Sequence, residues 1–253
     1  MTRSPRLVLL YLGLLALLAC ACSNVNPTTT ASANGPGVTH VYVAIGENGS
    51  SGLRFRSDLT STWVQSFYRS SLGTTGTLYD LSERGETIAD ARDNLLPEAL
   101  AVHPDLVTVW VSTEDIVSGT LLATYGHDLS QLVEALRQQG ATVLLANAAP
   151  PVLYPALESC PGSTNGCRPG GSAPRPAAGE VTEVTDYDNT IASVASRTGA
   201  RLVNLHAALS SALQTGGAGN LLSADGVSLS PGGDSLLART FLKALPARFR
   251  RSS

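Results

Sequence analysis

Five short apolar runs alternating with helix-patterned stretches constrain this chain more than any other feature of its sequence. Val38 to Ile45 is dense in β-branched and apolar residues, interrupted only by His40, and stops at Gly46. Leu106 to Val111, Thr142 to Ala146 and Arg201 to Leu205 repeat the theme, and Thr77 to Leu81 is a short strand candidate. Between them, Leu59 to Tyr68 places Leu59, Trp63, Val64 and Phe67 at helical spacing. Thr87, with Asp90 three residues on, predicts an N-cap for a helix over Ile88 to Val102. A long amphipathic helix follows over Leu121 to Gln139 and ends at Gly140 in the C′ position. Val184 to Thr198 is a further helix stopped by Gly199, and Gly233 to Leu245 is the last. Near-continuous apolar strands separated by helices predict one α/β domain with a parallel sheet covered on both faces. Working residues in such a sheet sit in loops at the carboxyl ends of the strands. Those loops are Gly46 to Gly52, Ser82 to Glu86, Ser112 to Asp115 and Ala224 to Gly232.

Composition narrows the partners. A chain of 253 residues that is 43% hydrophobic can bury a core without help from metals or disulfides. Its net charge of -3, with no basic block, leaves nothing to neutralise a phosphate backbone, and 5% aromatics supply no base-stacking platform. No nucleic-acid partner is therefore expected. Four cysteines are too few and too scattered for a zinc ribbon or a disulfide scaffold.

The first segment has the layout of an export signal. Arg3 and Arg6 precede an uncharged, mostly apolar run from Leu7 to Ala19, too short to span a bilayer comfortably. Leu17-Leu18-Ala19-Cys20 resembles the bacterial lipobox, which makes residues 1–19 a signal peptide and Cys20 the lipidated residue; Cys22 suits the motif less well. The alternative is a secreted protein or a short N-terminal anchor. Ser23 to Gly37 is rich in Ser, Thr, Asn, Pro and Gly, so residues 20–37 read as a flexible tether and 38–253 as the folded domain. The expected location is extracytoplasmic, at a bacterial cell membrane, held by the N-terminal lipid. In that oxidising setting Cys160 and Cys167, within a Gly/Pro/Ser-rich stretch, are expected to form a local structural disulfide.

Four blocks then carry a resemblance. Tyr42 to Gly52 (YVAIGENGSSG), Asp80 to Gly85 (DLSERG), Val107 to Asp115 (VTVWVSTED) and Asp225 to Gly233 (DGVSLSPGG) resemble, in order and separation, the four sequence blocks of the SGNH (GDSL-type) hydrolase family. The resemblance covers essentially everything from Val38 onward. It implies a three-layer α/β/α sandwich of flavodoxin-like type and ester hydrolysis on lipids, acylated sugars or small esters, with no metal or organic cofactor. A monomer is the expectation.

The family chemistry needs a serine after the first strand, a histidine base oriented by an aspartate, and an oxyanion hole. That hole is made by the serine N–H, a second-block glycine N–H and a third-block asparagine. Set against those roles, the nucleophile position holds Asn48, after Gly46-Glu47, and the glycine is kept as Gly85. The oxyanion asparagine is replaced by Glu114 and the base by Ser228, while Asp225 is kept. An asparagine amide is no nucleophile at neutral pH, and a serine cannot take a hydroxyl proton as imidazole does. An ionised Glu114 repels the charge an oxyanion hole should stabilise. No catalytic set is intact, so the resemblance implies an inactive member. Ser50 and Ser51 follow two and three residues after Asn48 and read as turn formers. Of the four histidines, only His206 follows a strand on the working side, where it reads as a capping or core-edge residue.

The replacements also create something. Glu114 and Asp225 should face the old pocket with Glu47 close by, and Arg84 is the obvious internal cation. Such a pocket is either a salt-bridged, closed remnant or a site for a cationic or polyhydroxyl ligand, such as a small molecule or glycan. Three functions stand open: an inactive binding module, an esterase with a rebuilt site, and a structural envelope protein.

Overall fold

The computed structural model describes residues 40–46, 62–73, 76–82, 85–150, 153, 178–223 and 229–250. The export segment, the tether, Cys20, Cys22, Cys160 and Cys167 lie outside the described residues.

Five strands form one parallel sheet: β1 (Val41–Gly46), β2 (Thr77–Asp80), β3 (Leu106–Trp110), β4 (Thr142–Ala146) and β5 (Arg201–Val203). Their order is β2-β1-β3-β4-β5. Val43 pairs with Tyr79 on one side and Val107 on the other, so β1 is an interior strand and is largely buried. Successive side chains point to opposite faces, and that alternation splits the core in two. Val43, Ile45, Val107, Val109, Val143 and Leu145 face one apolar cluster, and Tyr42, Ala44, Leu106, Trp110, Leu144 and Ala146 face the other.

The helices divide accordingly. α1 (Trp63–Ser71) is followed by α2 (Ile88–Asp90), which continues through a π turn at Ala91–Leu95 into α3 (Leu96–Ala101). Then come α4 (Thr113–Ser118), α5 (Leu122–Gln138), α6 (Ala178–Thr198), α7 (Leu205–Gly216) and α8 (Pro231–Ala244). Ile88, Leu129, Leu132, Leu136, Ile191 and Val194 from α2, α5 and α6 fill the first cluster. Trp63, Phe67, Leu209, Leu237 and Phe241 from α1, α7 and α8 fill the second, with Trp63 stacked on Phe241 at 4.6 Å. The result is the expected three-layer α/β/α sandwich.

Local chemistry explains the boundaries. The Thr87 hydroxyl accepts from the Asp90 N–H while the Asp90 carboxylate accepts from the Thr87 N–H, closing the expected capping box. Gly140 and Gly199 follow α5 and α6 at φ of 89° and 72°, as helix stops should. Two elements differ from the sequence reading. The run expected as a strand to Leu205 ends at Val203, because the Asn204 side chain accepts from the Ala207 N–H and starts α7. Ser112 to Asp115, expected as a loop, turns into α4, which Gly119 ends at φ 72°.

Candidate functional site

Gly46 closes β1 where the sheet is tightest. A Cβ there would lie 2.1 Å from the Trp110 carbonyl oxygen and 2.5 Å from Val111 Cγ2, and φ is +110°. Only glycine allows the end of β1 to press against the end of β3 in this conformation. Glu47 and Asn48 follow directly in sequence but lie outside the described residues, as do Ser50, Ser51, Arg84, Asp225 and Ser228. Gly85 and Glu114 are the two family-equivalent positions whose surroundings can be described.

Those two positions are neighbours. Gly85 holds φ +75°, and a Cβ added to it would lie 3.8 Å from Glu114 Oε2. β2 and β3 flank β1, so the loop after β2 and the loop after β3 meet across its end. A second contact fixes them: the Ile88 N–H donates to Asp115 Oδ2 at 2.7 Å. Asp115 is fully buried. Burial pushes its carboxyl up to about 6, the Ile88 N–H and the Thr120 hydroxyl draw it down, and Glu114 and Asp90 raise it. Tyr187 on α6 closes the back of this loop by donating to the Thr120 carbonyl at 2.5 Å.

The fourth block is rooted at the same end. Leu222 and Leu229 form an antiparallel bridge, and the Ser230 N–H donates to the Leu221 carbonyl at 2.8 Å. The Ser230 hydroxyl caps α8 by accepting from the Gly233 N–H. One turn on, buried Asp234 accepts from the Trp63 N–H at 3.0 Å, joining the start of α8 to the start of α1.

A further group at this end involves His206, which the sequence reads as a capping or core-edge residue, without a carboxylate partner. His206, in the first turn of α7, places Nδ1 2.9 Å from Asp188 Oδ2 on α6. Asp188 Oδ1 accepts from the Ala148 N–H at 2.9 Å, just past β4. Asn147 Oδ1 accepts from the His206 backbone N–H at 3.0 Å, and Asn147 Nδ2 donates to Asn204 Oδ1 at 3.3 Å. Burial raises the Asp188 carboxyl above its ordinary value, against the Ala148 N–H and the His206 ring, which lower it. The partnership was out of reach of the sequence because Asp188 stands 18 residues before His206 on a different element. The only available signal was the position of His206 just past a strand. Among the described residues, no group of three or more His, Cys, Asp or Glu side chains is placed to hold a metal ion.

Comparisons with known proteins agree with this fold. Residues 33–232 match the model of the GDSL-like Lipase/Acylhydrolase family. No curated protein sequence matches the chain. Among solved structures, the crystal structure of TesA superposes with a TM-score of 0.58 at 20% identity, covering 83% of this chain and 99% of that one. A variant of Axe2, an acetyl-xylooligosaccharide esterase from Geobacillus, gives a TM-score of 0.63 at 17% identity over 86% of this chain and 99% of that one. A putative GDSL-like lipase from Parabacteroides merdae gives 0.62 at 14% identity over 81% and 94%. At these identities the likeness is one of fold.

Proposed function

Because the chain belongs to the GDSL-like lipase/acylhydrolase family, we propose that it keeps the family fold as a binding module and has lost ester hydrolysis by the family mechanism. The observation that carries this reading is the Glu114 carboxylate, whose Oε2 lies 3.8 Å from the Cβ position of Gly85. Gly85 matches the family's oxyanion-hole glycine, and a carboxylate beside it supports the loss of the asparagine donor that the family places there. Asn48 at the nucleophile position and Ser228 at the base position point the same way. The lipobox-like leader supports a lipid-anchored protein on the outer side of a bacterial cytoplasmic membrane. There the Glu47, Asn48, Arg84, Glu114 and Asp225 group is a candidate pocket for a cationic or polyhydroxyl ligand. The neighbours described as acetyl-xylooligosaccharide and acetyl xylan esterases make a glycan the first ligand class to screen.

The test is short-chain ester hydrolysis and fluorophosphonate labelling of the full chain. The expected result is no label and no turnover beyond the roughly thousandfold background that a site without its triad retains. Restoring the family residues with Asn48→Ser, Glu114→Asn and Ser228→His together is expected to raise hydrolysis by about a thousandfold or more.

A second reading, an esterase with a rebuilt site, is supported by the His206–Asp188 pair. An imidazole nitrogen 2.9 Å from a carboxylate oxygen at the carboxyl end of the sheet resembles the orienting half of a triad. Robust turnover of the unaltered chain, abolished by Ser50→Ala/Ser51→Ala and by His206→Gln, would establish this reading and overturn the first.

A further inference from the structure

The opposite end of the sheet holds a cavity of about 330 Å³ lined by Arg137, Thr142, Gly199, Arg201, Pro246 and Arg248, together with Val143. We propose that this cavity binds the phosphate group of a small ligand, held between the guanidiniums of Arg137, Arg201 and Arg248.

Each guanidinium is anchored by a neutral acceptor. Arg137 Nη1 donates to the Ala141 carbonyl at 2.9 Å, and Arg201 Nε donates to the Ala244 carbonyl at 2.7 Å. Arg248 Nη2 donates to the Thr142 hydroxyl. These bonds use one nitrogen of each fork and set its position, while a guanidinium carries five N–H donors in all. Among the described residues, no carboxylate forms an ion pair with any of the three; the ion pairs found are His40–Asp105, Arg92 with Asp93 and Asp128, and His206–Asp188. Asp105, the acid that precedes β3 at this end, has its Oδ2 occupied by the Val41 N–H at 2.8 Å and by His40.

A structural role explains part of this cluster. α5, α6 and α8 all end at the cavity, and exposed helix carbonyls attract cations. The magnitudes decide against that role alone. A helix C-terminus carries about half a negative charge, so three of them leave more than one positive charge unbalanced. A chain of net charge -3 concentrates that excess in one concave place. Arg forks match phosphate oxygens two at a time, and the cavity volume suits a compact head group. Gly199 keeps the wall open: a Cβ there would lie 3.5 Å from Arg137 Nη2.

The test is calorimetric titration of the full chain, in neutral detergent at low ionic strength, with inorganic phosphate, glycerol 3-phosphate and acetate. Micelle-dispersed phosphatidylglycerol and phosphatidylcholine form the lipid arm. Saturable binding of the phosphates, not matched by acetate, is expected, weakened about tenfold or more by Arg137→Gln/Arg248→Gln. Tighter binding of glycerol 3-phosphate identifies a soluble phosphate ester as the source. Preference for phosphatidylglycerol over phosphatidylcholine identifies a lipid head group. If the double variant does not fold, protection of Arg137, Arg201 and Arg248 from phenylglyoxal by phosphate, read by peptide mass spectrometry on the unaltered chain, decides instead. No saturable binding in any arm, acetate binding as tightly as phosphate, or binding unchanged in the folded double variant overturns the proposal, as does absence of protection.

Discussion

The two ends of the sheet satisfy their polar groups in opposite ways. At the carboxyl end, carboxylates accept from backbone N–H groups: Asp115 from Ile88, Asp188 from Ala148, Asp234 from Trp63. At the amino end, arginines donate to backbone carbonyls: Arg137 to Ala141, Arg201 to Ala244, Arg250 to Leu245. In a parallel α/β sandwich most helices begin near the carboxyl ends of the strands and finish near the amino ends. Free N–H groups therefore gather at one end and free carbonyls at the other. The charges are sorted by the topology before any ligand is considered. The two ends differ in what remains after that sorting. Titratable acids stay buried at the family-equivalent end, and the opposite cavity keeps arginines that form no ion pair among the described residues.

Three perturbations break or sharpen this contrast. The largest acts where the carboxyl end is most crowded. Gly46→Ala puts a Cβ against the Trp110 carbonyl at a φ that L-residues rarely adopt, and is expected to cost about 4 kcal/mol. Urea unfolding, or failure to recover folded protein, reads the result. A tolerated alanine would mean that the ends of β1 and β3 are not in contact.

Next is a titration confined to one end. The Asp115 carboxyl sits at about 6 in the folded protein, above the 3.8 of an ordinary aspartate. The folded state therefore holds an extra proton between those values, so this group's contribution is greatest below about pH 4 and is lost as pH rises to about 6. Asp115→Asn keeps an acceptor for the Ile88 N–H without the charge. It is expected to match the unaltered chain near pH 4 and to exceed it by roughly 2 kcal/mol at pH 7. Urea midpoints across that range check it, and a constant difference would place the effect elsewhere.

The smallest effect belongs to the amino end. Arg201→Ala removes one hydrogen bond, to Ala244, from an exposed side chain and is expected to cost about 1 kcal/mol. That cost should not vary between pH 4 and 7, since arginine does not titrate there. A pH-dependent loss would show that the two ends are coupled through the sheet.

Much of the frame was legible in the residues. Helix stops at Gly140 and Gly199 and the Thr87–Asp90 box are local chemistry, decided within a few residues of chain. The positions of β1, β3 and β4 follow from apolar runs buried on both faces, and the sequence bounds of β4 match the structure to the residue. Of the four loops expected at the working end, the described residues place Gly85 beside Glu114, and Ser112 to Asp115 enters α4 instead of a loop. α7 was missed because its start depends on a single side chain, Asn204, turning back on the backbone.

The residues by themselves determined the fold class and the identities at the family-equivalent positions, since these depend on periodicity, turn chemistry and order along the chain. Tertiary structure alone decided which groups meet. Gly85 lies beside Glu114, Asp188 holds His206 across 18 residues, and Arg137, Arg201 and Arg248 converge across more than a hundred. The physical reason is that a side chain's environment is set by the ends of separate elements brought together by packing. No local pattern records which distant helix terminus will supply the partner.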